Sequence, residues 1–199
     1  APDGQSVVIS GNRGGLLDLY RVSLTTGGVD RLTADPYADL EPTFTPDGRS
    51  LIFVTERFST DLEALEPGPL RLARLDLATR TVTPIVAFLH GKHLSPSVSA
   101  DGQSITFVAD PDGVSNLYRI PLTGGPIEQL SSVVTGVAGI TGSSPALSTS
   151  ARGDRLVFSV FQDDGYASYA LDPPETVALV PPAATSTAAV LPGRTVGGG

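Results

Sequence analysis

Apolar residues recur two positions apart at four places along the chain. This spacing is the side-chain period of a β-strand that buries one face. The four pairs are Val7 and Ile9, Leu51 and Phe53, Ile105 and Phe107, and Leu156 and Phe158. No segment of useful length shows a helical period. The pattern therefore predicts an all-β protein in which four equivalent strands turn the same face inward.

A short turn motif precedes these strands. It reads Pro-Asp-Gly from Pro2 and Pro46 and Ala-Asp-Gly from Ala100, and a drifted fourth copy at 153–158 has lost the Asp-Gly pair. Asp-Gly favours a type I′ hairpin, because both residues tolerate the positive φ that this turn requires. We therefore expect an antiparallel strand on each side of every turn.

The whole unit repeats every 44 to 54 residues, measured between the aspartates Asp3, Asp47, Asp101 and Asp154. Within a unit the motif strand is followed by a second strand, a turn, a third strand and a short fourth. Four short strands at this period are typical of a β-propeller blade, which buries its faces only by stacking on neighbours. The sequence predicts about four blades of four antiparallel strands.

Two features concern the limits of the propeller. The first unit lacks a strand before Pro2, so we expect the blades to be part of a larger propeller that is incomplete at its N-terminus. The chain also contains no Met and opens without a leader, which suggests that it begins inside a longer protein. We assign residues 1–180 to the blades and 181–199 to a low-complexity Pro/Ala/Gly tail or linker.

Composition excludes several classes of protein. The net charge of −8 disfavours nucleic acid, which would be repelled. No apolar run approaches the roughly 18 to 20 residues needed to cross a bilayer as a helix. The absence of cysteine removes disulfides, zinc–thiolate sites and thiol nucleophiles.

No motif supplies catalytic, cofactor or metal residues. His90 and His93 are close in sequence, but the Glu of a zinc-protease helix and a third ligand are missing. A Gly-x-Ser-x-Gly nucleophile elbow does not occur. The recurring aspartates leave calcium as an alternative, although turn geometry accounts for them better. We expect a protein that is not an enzyme and has no cofactor.

The repeat signature resembles the TolB-like, WD-repeat-like β-propeller family of bacteria. The segments that carry the resemblance are 2–4, 19–21 and 31–33, with fainter copies up to about Asp172. The family occurs in periplasmic and secreted proteins, so the resemblance implies a periplasmic or otherwise extracytoplasmic location in the bacterial envelope.

A narrower similarity covers 66–71, 91–96 and 135–141. These segments resemble the propeller portion of large exported bacterial proteins that also carry an outer-membrane barrel or a peptidase-like domain. The resemblance implies a protein partner, such as a membrane-embedded complex or a barrel.

Together these observations predict a protein-interaction or scaffold module, an accessory subunit of a larger assembly. The loops that depart most from blade regularity are 58–69, 88–95 and 133–144. The candidate partner-binding residues in them are Phe58, Glu63, Glu66, His90, Lys92, His93, Val137 and Ile140. Two alternatives remain: a propeller that gates substrate for a peptidase domain outside this chain, and a propeller that binds a glycan or small ligand.

Overall fold

Fourteen β-strands make up the regular structure in a computed structural model that describes residues 1–141, 144–150 and 155–172. Across these residues there is no helix, and the strands form four separate antiparallel sheets. The all-β prediction and the division into four blades are confirmed; two of the sheets have the predicted four strands, and the other two have three among the described residues. The predicted tail at 181–199 and the last part of the predicted blade region lie outside the described residues.

Each sheet is built from strands that are consecutive in the chain. The strands of blade one are β1 (Ser6–Arg13), β2 (Leu16–Ser23) and β3 (Val29–Arg31). Those of blade two are β4 (Asp39–Phe44), β5 (Ser50–Thr55), β6 (Arg71–Asp76) and β7 (Val82–Pro84). Those of blade three are β8 (His93–Val98), β9 (Ser104–Ala109), β10 (Asn116–Pro121) and β11 (Glu128–Gln129). Those of blade four are β12 (Leu147–Thr149), β13 (Leu156–Gln162) and β14 (Gly165–Leu171).

The Asp-Gly turns differ from the type I′ hairpins that the sequence suggested. In blade two the Gly48 N–H donates to the Thr45 carbonyl at 2.9 Å, and φ is positive at Gly48 but not at Asp47. The Thr45 N–H donates to the Ser50 carbonyl at 3.0 Å, so the loop comprises residues 46–49 rather than the two residues of a type I′ hairpin. The third copy, which has Ala100 in place of the proline, closes in the same way, with the Ser99 N–H donating to the Ser104 carbonyl at 2.9 Å. Asp47 accepts the Arg49 N–H at 3.0 Å. The motif works because the aspartate stabilises the turn and glycine alone adopts the left-handed region.

Adjacent blades bury their faces against one another in three apolar clusters. Leu51 and Phe53 of blade two pack against Leu19 of blade one. The opposite face of blade two meets blade three in a second cluster, and blade three meets blade four in a third. In each described contact between blades, the face of one sheet that points towards the next blade packs on the face of the next sheet that points back.

Blade one breaks the predicted rule that all four copies turn the same face into the core. Val7 and Ile9 are 40% and 46% exposed, whereas the equivalent Leu51 and Phe53 are fully buried. In blades two, three and four, the equivalent face packs on the blade before it in the chain. The described residues supply no such blade for blade one, so Val7 and Ile9 are exposed. Val8, on the other face of the strand, packs against the core.

The innermost strands are also linked from blade to blade by side chains at two bulges. Glu41 and Ser95 occupy equivalent bulges, and both have positive φ, 50° and 49°. The Glu41 carboxylate accepts the Ser95 N–H at 2.5 Å, and the Ser95 hydroxyl accepts the Ala146 N–H at 3.3 Å. Burial raises the pKa of Glu41. These contacts set the position of three blades around the centre.

Matched isoleucines test the stacking scheme. Ile105→Ala should lower the free energy of unfolding by about 2 to 5 kcal/mol, because it leaves a cavity between blades two and three. Ile9→Ala should cost less than about 1 kcal/mol, because its side chain is half exposed. Urea denaturation followed by circular dichroism measures both values. Equal losses would show that the outer face of blade one is covered in solution.

Candidate functional site

The long connections of the blades all leave from one end of the sheets. In the four-stranded blades two and three, the turns after the first and third strands lie at one end, and the remaining connections lie at the other. The first end carries the Asp-Gly turns, and we call it the turn end. The other end carries the connections at 56–70, 85–92 and the described part of 130–146. We call it the loop end.

Neighbouring connections at the loop end contact one another. The Lys92 N–H donates to the Asp110 carboxylate at 2.6 Å, so the connection into blade three touches the next loop of that blade. The Val137 N–H donates to the Ser115 carbonyl at 2.7 Å. The loops therefore form a continuous surface, and the three candidate segments from the sequence lie on the same end of the molecule.

The longest loop within a blade, residues 58–69, is a self-supporting projection that we call the blade-two excursion. Asp61 and Glu66 exchange two backbone hydrogen bonds of 2.9 Å each. The Asp61 carboxylate also accepts the N–H groups of Glu63 and Ala64. Leu65 lies at the tip, 83% exposed and with φ of 56°. The excursion thus presents an apolar side chain on an ordered turn.

An open cleft of about 540 Å³ borders the excursion. Phe58 and Leu62 lie on its excursion side, and both are exposed. Tyr37 and Arg57 form the opposite side, with the guanidinium carbon 5.7 Å from the centre of the tyrosine ring. The predicted candidate Phe58 therefore belongs to a concave, partly aromatic surface.

Arg71 holds the connection between blades two and three in place. Its guanidinium donates to the carbonyls of Phe88, Leu89 and Gly91 at 3.2, 2.5 and 2.8 Å. Leu89 and His90 are exposed at the tip of this loop. A loop whose carbonyls are fixed in this way needs little further ordering when it binds a partner.

His93 is not a loop residue, which corrects the sequence-based prediction. β8 begins at His93, and the side chain is only 1% exposed, in edge contact with Phe88 and Phe107. Its Nδ1 accepts the Leu72 N–H at 3.4 Å, while no described group hydrogen-bonds to Nε2. Burial, with a smaller contribution from the Arg71 charge, lowers the pKa of His93 to about 4. A partner cannot reach this residue.

Val137 is also buried, contrary to the expectation that it lies on a binding loop. It forms an isolated bridge with Val160 of β13 and belongs to the cluster between blades three and four. Ile140, three residues further on, is exposed as predicted, and so is Val134 on the other side. Exposed and buried residues therefore alternate along this loop. The prediction for Val137 was wrong because a loop that connects two blades is anchored in the core between them.

The charges of the loop end leave an excess of exposed acids. Arg57 is engaged by Asp35 at 2.5 Å and by Asp39 at 3.2 Å, and burial raises the pKa of Asp39. Among the described residues, Glu63 and Glu66 are exposed and enter no ion pair. The exposed surface of the excursion is therefore both acidic and apolar.

The aspartates considered as calcium ligands serve the turns. Asp47 and Asp101 accept hydroxyl hydrogen bonds from Thr45 and Ser99, which lower the pKa of each carboxyl. In the described part of the chain, no three His, Asp or Glu side chains group as metal ligands would. The expected lack of a cofactor stays a prediction.

Five exposed apolar residues of the loop end were not singled out from the sequence: Leu62, Leu65, Val86, Leu89 and Val134. Each lies in a loop, where periodicity assigns no face to an apolar residue. The one available signal was an apolar residue within a predicted loop, which is too common to be specific.

The architecture has counterparts among solved structures. The protein designated TolB from Agrobacterium tumefaciens superimposes on 86% of the chain with a TM-score of 0.69 and 21% identity. TolB from Acinetobacter baumannii does so over 86% with a TM-score of 0.65 and 21% identity. The chain has a TolB-like β-propeller fold.

This TolB-like fold also occurs in an enzyme. Puromycin hydrolase matches 86% of the chain with a TM-score of 0.63 and 21% identity. The chain spans 59% of the Agrobacterium protein, 39% of the Acinetobacter protein and 26% of the hydrolase. At this identity the similarity establishes the fold and not a shared activity. No protein-family model and no curated protein matches the sequence.

The buried histidine gives the TolB-like propeller a defined acid sensitivity. The pKa of His93 is about 4 in the folded state against an ordinary 6.5, so the unfolded chain binds the proton more readily. Neutral His93 is compatible with the fold, so its contribution to the free energy of unfolding is complete above pH 6.5. That contribution is lost as the pH falls towards 4, because the unfolded chain takes up the proton first. His93→Asn keeps an acceptor for the Leu72 N–H. We expect the free energy of unfolding of this variant to fall by about 3 kcal/mol less than that of the wild type between pH 7 and pH 4.

The measurement is the free energy of unfolding between pH 7 and pH 4 for the wild type and both histidine variants. His90→Asn is the control, because it makes the same substitution at an exposed histidine outside the core. A His93→Asn profile parallel to that of the wild type would contradict the assignment of the acid loss to this side chain.

Proposed function

We propose that this TolB-like propeller is a non-catalytic module that binds another protein through its loop end. The supporting observation is that most of the large apolar side chains exposed outside the strands lie at one end of the sheets. Among the described residues, Leu24 is exposed at the turn end, and seven large hydrophobic side chains are exposed at the loop end. They are Phe58, Leu62, Leu65, Val86, Leu89, Val134 and Ile140. Such clustering is typical of interaction surfaces.

The chemistry of the two histidines favours binding over hydrolysis. His93 is buried and contacts backbone and aromatic rings, so it has no access to a substrate. His90 is exposed at a loop tip, and no described carboxylate pairs with it. A hydrolytic triad needs a histidine between a nucleophile and an orienting carboxylate. Neither histidine has that environment.

In this proposal the module is an accessory subunit of a larger extracytoplasmic assembly. Its partner is a protein, such as a membrane-embedded complex or a barrel. The acidic and apolar character of the loop end supports a protein ligand over a nucleic acid. Among the described residues, no helix has the length and hydrophobicity to cross a bilayer.

Affinity capture from bacterial envelope extracts tests the proposal. We expect the immobilised wild type to retain a protein that the triple variant Leu65→Ser, Leu89→Ser, Val134→Ser does not, since these changes remove exposed apolar contacts from three loops. Leu24→Ser is the control, because Leu24 is equally apolar and exposed at the opposite end. Retention of the same proteins by all three samples would contradict a role for the loop end.

A second candidate function is the gating of substrate for a peptidase. The similarity to puromycin hydrolase favours it, since that enzyme contains the same fold within a longer chain. The capture experiment distinguishes the two, because a hydrolase as the retained protein would support gating. The chain itself should not hydrolyse puromycin above the buffer rate. Hydrolysis that His90→Asn abolishes would contradict the non-catalytic proposal.

A further inference from the structure

Leu65 combines two features that are unfavourable for the isolated protein. Its side chain is largely exposed, so it contributes little to packing. Its backbone lies in the left-handed region, where glycine is the favoured residue and leucine is strained. Nothing in blade stacking therefore calls for a leucine at this position, although the turn around it is well ordered.

The turn that carries Leu65 is anchored at both ends. The two hydrogen bonds between Asp61 and Glu66 close the tip. At the base, the Ser59 hydroxyl donates to the Pro69 carbonyl at 2.6 Å, and Gly68 lies so close to Ser59 that a Cβ would come within 2.2 Å of its carbonyl oxygen. The backbone that carries the leucine is consequently held in place, which reduces the backbone entropy lost on binding.

The charges beside this leucine are acidic and are not neutralised within the molecule. Glu63 and Glu66 flank Leu65 in the turn, are exposed and form no ion pair with any described residue. The nearby cation Arg57 is already engaged by Asp35 and Asp39. A partner that approaches the turn therefore meets a projecting apolar side chain between two free carboxylates.

We propose that the blade-two excursion is the anchor of the loop-end interface and binds a protein segment that combines large apolar side chains with Lys or Arg. Leu65 packs among the apolar side chains of that segment, and Glu63 and Glu66 pair with the surrounding Lys or Arg, which form the rim of the contact. The cleft bounded by Phe58 and Tyr37 receives the adjoining part of the partner. This inference rests on the proposed function and adds the chemistry of the partner, which charge complementarity selects.

A random dodecapeptide library displayed on phage is the probe. Selection on the immobilised wild-type chain should enrich peptides that combine Lys or Arg with large apolar residues. The affinity of the enriched peptides, as synthetic fluorescent probes, is then measured by polarisation at low and high salt. Binding should weaken with salt, because the rim contacts are exposed charge pairs.

Leu65→Gly separates binding from folding. Glycine fits the positive φ, so the thermal midpoint should stay unchanged or rise, while peptide affinity should fall about tenfold, the scale of an interface anchor. Glu63→Gln with Glu66→Gln should reduce affinity at low salt and abolish most of its salt dependence. Leu24→Gly, an exposed leucine of the turn end, should leave affinity unchanged.

The outcomes distinguish this inference from the proposed function. Peptides that bind Leu65→Gly as well as the wild type but fail on Leu89→Ser or Val134→Ser would overturn the anchor and leave the loop-end interface intact. Enriched peptides that are acidic, or no enrichment at all, would overturn the partner chemistry. A lowered thermal midpoint in Leu65→Gly would show that the leucine has a structural role instead.

Discussion

The burial of each sheet face against the next blade is the interaction on which the rest of this structure depends. A blade of three or four short strands has two apolar faces and no core of its own. Leu51 and Ile52, adjacent in one strand, belong to different clusters because they point to different neighbours. The fold is thus a series of similar interfaces, and the loops are carried by a framework whose geometry they do not determine.

Much of this framework could be predicted from the sequence, because it repeats. The period, the strand alternation and the Asp-Gly motif each appear at least three times, so chance agreement is small. What could not be predicted depends on neighbours that differ between copies. Val7 and Leu51 have the same local pattern and opposite exposure, and the difference arises from the blade beside them. The turn type was wrong because the hairpin closes between Thr45 and Ser50, which leaves a longer loop than the two residues of a type I′ turn; the copy with Ala100 in place of the proline closes in the same way, between Ser99 and Ser104.

The candidate site was predicted less well than the fold, for a related reason. Loop length selected three segments, and the topology brings them to one end of the sheets. Loop length does not indicate, however, which side chains of a loop point into the core and which point to solvent. His93 and Val137 lie in predicted loops of the sequence but are core residues in the structure, because each connection is anchored between blades. The residues that project, such as Leu65, are recognisable only once the hydrogen bonds that hold the turn are known.

The blade-two excursion shows how much extra chain a blade accepts. On either side of it, β5 and β6 pair without interruption from Ser50 with Asp76 to Thr55 with Arg71. The hairpin therefore absorbs the added residues with no shift of register, since the pairing is set by packing beneath it. Foreign peptide sequences grafted between Phe58 and Pro69 would be displayed on an undisturbed scaffold, which makes this hairpin a natural position for engineered recognition.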